Sequence, residues 1–518
     1  MWIWRLVALL AVLAPLVTRA DAPGVYALTG ATVHPASGPV IPTGIVVVRG
    51  GLIEAVGANV TIPPDATIID VTGSHVYPGL IDAHTTIGFP ATPATGRDRP
   101  AEPGPETVAI RSVNISTEEA DARRSTGVTT VITAPARGIF NGQSVVMNLG
   151  SGTRESHVIR NPAALQITFN TRSMWTYPDS LMGVVAFLRQ TFLDARQHAA
   201  AHEVYGRTPT GLRRPPDDPA LEALGPALRR EVPVVFVADS ESMIRRVQTL
   251  AGEFNLRAIV SGAREAYAIA DELKNVPVLV SVRWPEAPTD REDREDQPLR
   301  LIRQRQLAPT TPAALAKSGV TFALVSGSGK AGDFLPGIRK AMENGLTHDE
   351  ALRATTIAPA RIFGFERQLG SIERGKIANL VVSDRRIFEK DAKVTRLFVD
   401  GREIRLPRED AAPGISAASP IDGSWAVTVR TPGGNVSMQV TLKAEAGRLS
   451  GSWSGDRGSG DIRSGTFEGS SFEFTISAAQ NDAEMSDWAF RGTLDGETMN
   501  GTVATTLGNF EFSGSKAK

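Results

Sequence analysis

Between residues 44 and 57 the segment GIVVVRGGLIEAVG sets β-branched residues before a Gly-Gly pair and a second apolar run after it. This pattern predicts strand, turn, strand. From about residue 76 amphipathic stretches alternate with short, wholly apolar runs. STEEADARRSTGVTTVIT (116–133) sets the grammar: Ser116 as N-cap, Glu119 as its capping-box partner, Gly127 as the stop, then a β-branched strand. The same grammar returns in SMIRRVQTLAGEFNLRAIVSG, AREAYAIADELKNVPVLVSV and TPAALAKSGVTFALVSG, where Thr311 is expected to cap and Pro312 to take the first helical turn. Helices followed closely by buried strands predict a parallel sheet. Over residues 76–366 a closed α/β (β/α)8 TIM barrel is expected rather than an open sheet.

Residues 370–404 return to hairpins, with Val399-Asp400-Gly401 as a turn, and 407–420 (PREDAAPGISAASP) reads as a linker. Residues 421–518 alternate apolar and polar positions between Gly-rich turns every eight to twelve residues. That predicts a C-terminal all-β sandwich or small barrel. Its tryptophans, Trp425, Trp453 and Trp488, are expected in the core; the alternative is a partner-binding face.

The first twenty residues carry one arginine and a short apolar run broken by Pro15, ending in Thr-Arg-Ala. This reads as a signal peptide (1–20) cleaved after Ala20 or Ala22, because the run is short for a membrane span of about 20 residues. The expectation is an exported protein, periplasmic or secreted, with no stable membrane span after cleavage. With 55 basic against 56 acidic residues there is no electrostatic footprint for nucleic acid, and the absence of cysteine removes disulfides and thiolate sites. VSGSGKAG (325–332) lacks the glycine and hydroxyl spacing of a phosphate loop, and no serine-nucleophile elbow is present.

VYPGLIDAH (76–84), GVTTV followed by GIFNGQSVVMNL, AREAYAIADEL, EALRATTIAPARIFG and GSIERGKIANLVV occur in this order along the chain. Together they resemble the amidohydrolase superfamily, most closely its exported imidazolonepropionase-like branch, over roughly residues 25–405. The resemblance implies a metal-dependent (β/α)8 barrel at 76–366 and a composite β-sandwich built from 25–75 and 367–406. It also implies hydrolysis of C–N bonds in amides, cyclic amides or dipeptides. The last hundred residues lie outside this core and resemble a β-domain often appended to periplasmic members.

The resemblance further implies a His-x-His pair on the first barrel strand, one histidine each on the fifth and sixth, and an aspartate on the eighth. His84 holds the first place. Thr86, Val237, Gly262 and Gly327 hold the others, and Gln166 stands near the place of a bridging lysine. The expectation is therefore a lost metal site and no cofactor, with zinc if that reading fails. What remains in the expected mouth is His84, Thr86, Asp239, Ser261, Arg264, Ser326, Ser328 and Lys330, a polar set suited to a small anion or polar ligand. Asp239 and His84 are the candidates for any remaining catalysis. Asp82 reads as structural.

Of the other histidines, His34 and His75 fall in or beside the small β-domain, His157 follows a strand and His348 sits in a helix N-terminus. His198 and His202, spaced i, i+4, share a helical face. That spacing is zinc-compatible, but the glutamate of a His-Glu-x-x-His motif is missing, so they read as solvated surface residues. Two functions follow: a degenerate family member that binds a small polar molecule or partners a homologous amidohydrolase subunit, as a homo- or hetero-oligomer; or an active hydrolase of cyclic amides or dipeptides with a rearranged or metal-free site.

Overall fold

The structure, a computed structural model, describes residues 24–89, 104–171, 176–288, 297–327, 329–406, 419–431, 434–445, 448–455, 458–462, 464–481, 484–505 and 508–516. The expected signal peptide, Ser328 and most of the expected linker lie outside the described residues. The chain forms two compact units, Met1–Pro407 and Arg408–Lys518.

The first unit opens with β1 (Tyr26–Val33), β2 (Ile41–Arg49), β3 (Leu52–Gly57), β4 (Thr67–Asp70) and β5 (His75–Pro78). Gly50 and Gly51, both at positive φ, form the tight turn between β2 and β3 that the Gly-Gly pair predicts. Then come β6 (Leu80–Thr85), α1 (Thr117–Arg124), β7 (Val128–Thr133), β8 (Phe140–Gln143), β9 (Val145–Asn148), β10 (Val158–Arg160) and β11 (Leu165–Thr168). The capping box of α1 is formed as its sequence predicts, Ser116 and Glu119 each satisfying the other's backbone N–H. The chain continues through α2 (Leu181–Arg207), α3 (Pro219–Glu222), α4 (Gly225–Leu228), β12 (Val234–Ala238), α5 (Glu241–Phe254), β13 (Ala258–Gly262), β14 (Val278–Ser281) and β15 (Phe322–Val325). It returns to β structure in β16 (Leu380–Ser383), β17 (Val394–Val399) and β18 (Arg402–Ile404), with the expected turn at Asp400-Gly401.

Strands from both ends join in one eight-stranded sheet, β18-β17-β16-β5-β1-β2-β3, with β4 also paired to β1. Bulges in β1 around Gly30 bend it, so its first half pairs with β4 and its end with β5. That is why the flanking segments form one continuous hydrogen-bonded sheet and not two separate ones. Between them, β6 and β7 run parallel in a four-stranded sheet, and β11 through β15 run parallel in a six-stranded one. These strands are buried along their length, which explains their unbroken apolar runs. The third position of the expected alternation differs: β8 and β9 are antiparallel to β11 and β7. Gly142, at φ +80°, and Ser144 turn the chain there, and Ser144 exchanges backbone hydrogen bonds with Ala163 and Ala164.

Two further local expectations are corrected. Thr311 does not cap its helix; it is fully buried and donates to the carbonyl of Arg264 at 3.1 Å. A preceding 3-10 turn (308–310) moves the helix start back. Residues Ala266–Leu273 form a kinked 3-10 segment, where sequence spacing predicts an α-helix. The carboxylate of Glu265, tied to the Glu241 N–H and to Arg300, tethers its entry.

On the central strands of the large sheet, where β1 ends beside β5, His34 Nε2 lies 3.0 Å from His75 Nδ1 and its ring stacks on Tyr77 at 4.4 Å. His348, first residue of the helix His348–Thr355, packs against Phe388 and the same cluster, with neither ring nitrogen hydrogen-bonded. Burial, reinforced by neighbouring charges, lowers His34 and His348 to about 4.

The second unit is one antiparallel nine-stranded sheet around its own core. Strand Gly434–Glu445 pairs with Gly423–Thr431 on one side and Arg448–Gly455 on the other, so the hydrogen-bonded path returns on itself. Trp425, Trp453 and Trp488 are buried in that core, and Trp425 Nε1 donates to the Ile421 carbonyl at 2.8 Å. Among the described residues no helix is long and apolar enough to cross a membrane.

Candidate functional site

Asp82 ends up fully buried because β6 carries it between α1 and the end of β15. Its carboxylate accepts from Arg123 Nη1 at 3.0 Å and from the backbone N–H of Ser326 at 3.0 Å. Arg123 also donates to the Gly329 carbonyl at 2.8 Å. The structural role read from the sequence is thus a charged rivet between β6 and the segment after β15.

Two residues on, His84 faces a cavity of about 250 Å³ at the C-terminal ends of the parallel strands. Thr86, Asn141, Gln166, Thr168, Asn170, Val237, Asp239, Ser261, Gly262, Arg264, Ser281 and Gly327 share its wall with Pro135 and Ala136. All five positions that the resemblance assigned to metal ligands therefore converge on one space. His84 Nδ1 lies 2.7 Å from Ser261 Oγ. Its ring is enclosed by protein and touches solvent only through the cavity, so burial lowers its pKa, with Asp82 pulling the other way. Asp239 carries a carboxyl held above the ordinary aspartate value by burial, partly offset by the Arg264 guanidinium at 3.4 Å.

Of the expected mouth residues, His84, Thr86, Asp239, Ser261 and Arg264 come together here. Ser326 is buried away from the lining, and Lys330 is exposed on the following loop. Sequence reading missed Asn141, Thr168, Asn170 and Ser281, and took Gln166 only as a failed lysine. The signal was the polar residue ending each apolar strand: Thr168 closes β11 and Ser281 closes β14.

Several polar atoms in this wall have no protein partner: Asn141 Oδ1, Gln166 Oε1, Asp239 Oδ1 and Arg264 Nε are buried and unbonded. Gln166 spends its amide nitrogen on Ser144 Oγ at 3.0 Å, and Asn141 spends its own on the Arg137 carbonyl at 3.1 Å. Unsatisfied buried polar groups cost about 1–3 kcal/mol each. Their grouping around a polar cavity marks a place for water or a ligand that supplies partners.

A hydrolytic zinc needs three or more imidazole or carboxylate donors. In this wall only His84 and Asp239 qualify, one hydrogen-bonded to Ser261 and the other facing Arg264. Thr86 offers a neutral hydroxyl, Val237 an isopropyl group, and Gly262 and Gly327 no side chain. The donors present do not fit a hydrolytic metal.

The two glycines also resist refilling. Gly262 sits at φ +91°, and a Cβ there would lie 2.5 Å from Asp239 Oδ1; Gly327 sits at φ +58°, with Ser281 Oγ at 2.4 Å from the equivalent point. Gly262→His is therefore expected to destabilise the protein by about 1–3 kcal/mol and to restore no metal. Urea unfolding checks this; an unchanged midpoint would contradict it.

Residues 301–404 match the Amidohydrolase family. Over 394 residues the chain is 26% identical to an imidazolonepropionase of Symbiobacterium thermophilum, across 66% of this chain and 84% of that protein. It is 24% identical over 398 residues to amidohydrolase tasK of Hapsidospora irregularis, spanning 69% of this chain but 39% of that protein. The crystal structure of an amidohydrolase from Thermotoga maritima MSB8 aligns with a TM-score of 0.64 at 26% identity, covering 74% of this chain and 100% of that one. The ordered motifs, the convergence of their assigned positions and these matches agree: the chain is similar to members of the amidohydrolase superfamily.

Proposed function

We propose that this protein binds a small polar, amide-bearing molecule in the His84 cavity without metal-dependent hydrolysis. The observation that carries this is the wall itself. The five assigned ligand positions meet there, four of them without an imidazole or carboxylate, among four buried polar atoms left unbonded. The volume of about 250 Å³ lies just below the usual range of about 300–1,000 Å³ for ligand pockets, which suits a cyclic amide or dipeptide. Asp239 would accept an amide N–H, Gln166 and Asn141 would orient the remainder, and Arg264 would meet a carboxylate or carbonyl.

The same reading takes the two central sheets as a (β/α)8 barrel with a dismantled metal site. The Ser144–Ala164 and Asp82–Ser326 hydrogen bonds support that closure at the two seams. It places the protein outside the cytoplasm, periplasmic or secreted, as a binding or partner subunit beside an active homologue. The second reading, a metal-free hydrolase of cyclic amides or dipeptides, is favoured by the raised Asp239 carboxyl beside the cavity, which could act as a proton donor.

Calorimetric titration of chelator-treated protein with hydantoin and with glycylglycine tests the binding reading. Binding of at least one is expected, weakened about 10–100-fold in Asp239→Ala, since a hydrogen bond to a charged group contributes about 1.5–3 kcal/mol. Absence of binding by both probes sinks it, and turnover of either probe transfers support to the second reading.

A further inference from the structure

Between the cavity residues Asn170 and Val237 in the chain, α2 runs for 27 residues and carries His198 and His202 one turn apart near its C-terminal end. Beyond Arg207 the chain turns at Pro209–Leu212 and comes back along the helix. Asp218 caps α3, accepting from the N–H groups of Ala220 and Leu221, and Pro219 starts it. This return brings Glu222, twenty residues after His202, beside both rings. One nitrogen of each imidazole and one Glu222 carboxylate oxygen lie within 4.8 Å of one another. Both histidines are half-buried and Glu222 is exposed, so the group is open to solvent on one side.

We infer that His198, His202 and Glu222 form a binding site for a divalent transition-metal cation of the zinc class. Two imidazoles and a carboxylate are borderline donors that suit zinc, whose ligand bonds of about 2.0–2.2 Å need only small side-chain rotations from this spacing. The second observation is the Pro216 carbonyl, whose oxygen lies 3.1 Å from His198 Nε2 and 3.2 Å from His202 Nε2. It holds the two rings side by side, with centroids 4.3 Å apart. A backbone carbonyl taking ring N–H groups is the usual orienting partner of histidine ligands and leaves the Nδ1 lone pairs free. With a cation at Nε2 the same oxygen becomes a fourth donor. Either way the third ligand, which helical spacing alone does not provide, is supplied from another helix.

With the cation at Nδ1, the three protein ligands leave a coordination position for water; with the Pro216 carbonyl as fourth donor the site is closed. The cation would clip the exposed end of α2 to the returning segment 209–222, which is otherwise tied there by few buried groups. The site is separate from the cavity and does not depend on the proposed ligand.

The test is zinc uptake by the untagged full chain, stripped with chelator and dialysed against micromolar zinc. About one zinc per chain is expected. His198→Ala and His202→Ala should each lose it, Glu222→Gln should bind at least about tenfold more weakly, and His84→Ala should retain it. These substitutions lie on a half-exposed surface, and circular dichroism confirms that the variants fold. No stoichiometric uptake by the parent chain overturns the site; so does uptake unchanged in both histidine variants.

Discussion

Asp82→Ala is expected to destabilise the first unit by about 3–5 kcal/mol, the magnitude seen when one member of a buried ion pair is removed. The substitution leaves Arg123 buried with only the Gly329 carbonyl for its guanidinium, and strips the Ser326 N–H of its acceptor. Against a typical total of about 5–15 kcal/mol that is a large fraction. Asp82→Asn should fall between the two, because an amide oxygen can still accept from Ser326 while the charge is lost. Surface pairs such as Arg189–Glu253, both partly exposed, are expected to contribute no more than about 1 kcal/mol. Urea unfolding of the four proteins gives the ranking. An Asp82→Ala midpoint matching that of the surface-pair variant would show that the rivet carries no load.

Stability should also fall steeply between pH 6.5 and 4 through the histidine cluster. His34 and His348 sit at about 4 in the fold and near 6.5 once unfolded, so the unfolded chain takes up protons first as pH drops. Their stabilisation is therefore complete above about pH 6.5, is lost on the way down to about 4, and contributes no further slope below. The charged groups facing the pair are Arg386, which favours the neutral rings, and Asp349, which opposes it; Glu389 also opposes it at His348, and the neighbouring His75 acts with Arg386 on His34. Each buried ring is expected to contribute on the order of 2–3 kcal/mol. His348→Leu should flatten the pH profile of the urea midpoint by at least one ring's share, because charge on His348 also helps to lower His34. An unaltered profile in that variant would rule out the cluster as the source.

The motifs made the fold legible because they are local. The capping box at Ser116–Glu119, the Gly50-Gly51 turn and the apolar strands β12 to β15 each declare themselves within a few residues. The antiparallel β8 and β9 did not, since a short apolar run reads the same in either direction and only Gly142 and Ser144 reverse it. The site was half legible for a related reason. His84 and Asp239 stand at strand ends in family order, but the polar atoms of Asn141 and Gln166 matter only because their own partners are used elsewhere. Glu222 was invisible beside His198 and His202, because a proline-rich return, not helical spacing, brings it there. Likewise, the burial of Thr311 against Arg264 is a tertiary contact that overrides its value as a cap.

Bulk zinc content of the parent chain does not report on the cavity alone, since a cation at α2 would count as one there. The decisive measurement is zinc content of the His198→Ala, His202→Ala double variant, equilibrated with zinc and compared with the same variant carrying His84→Ala. A cavity built for a polar ligand without a metal predicts no zinc in either protein. One zinc per chain in the double variant, lost with His84, would contradict it and return the protein to the metal-dependent hydrolases.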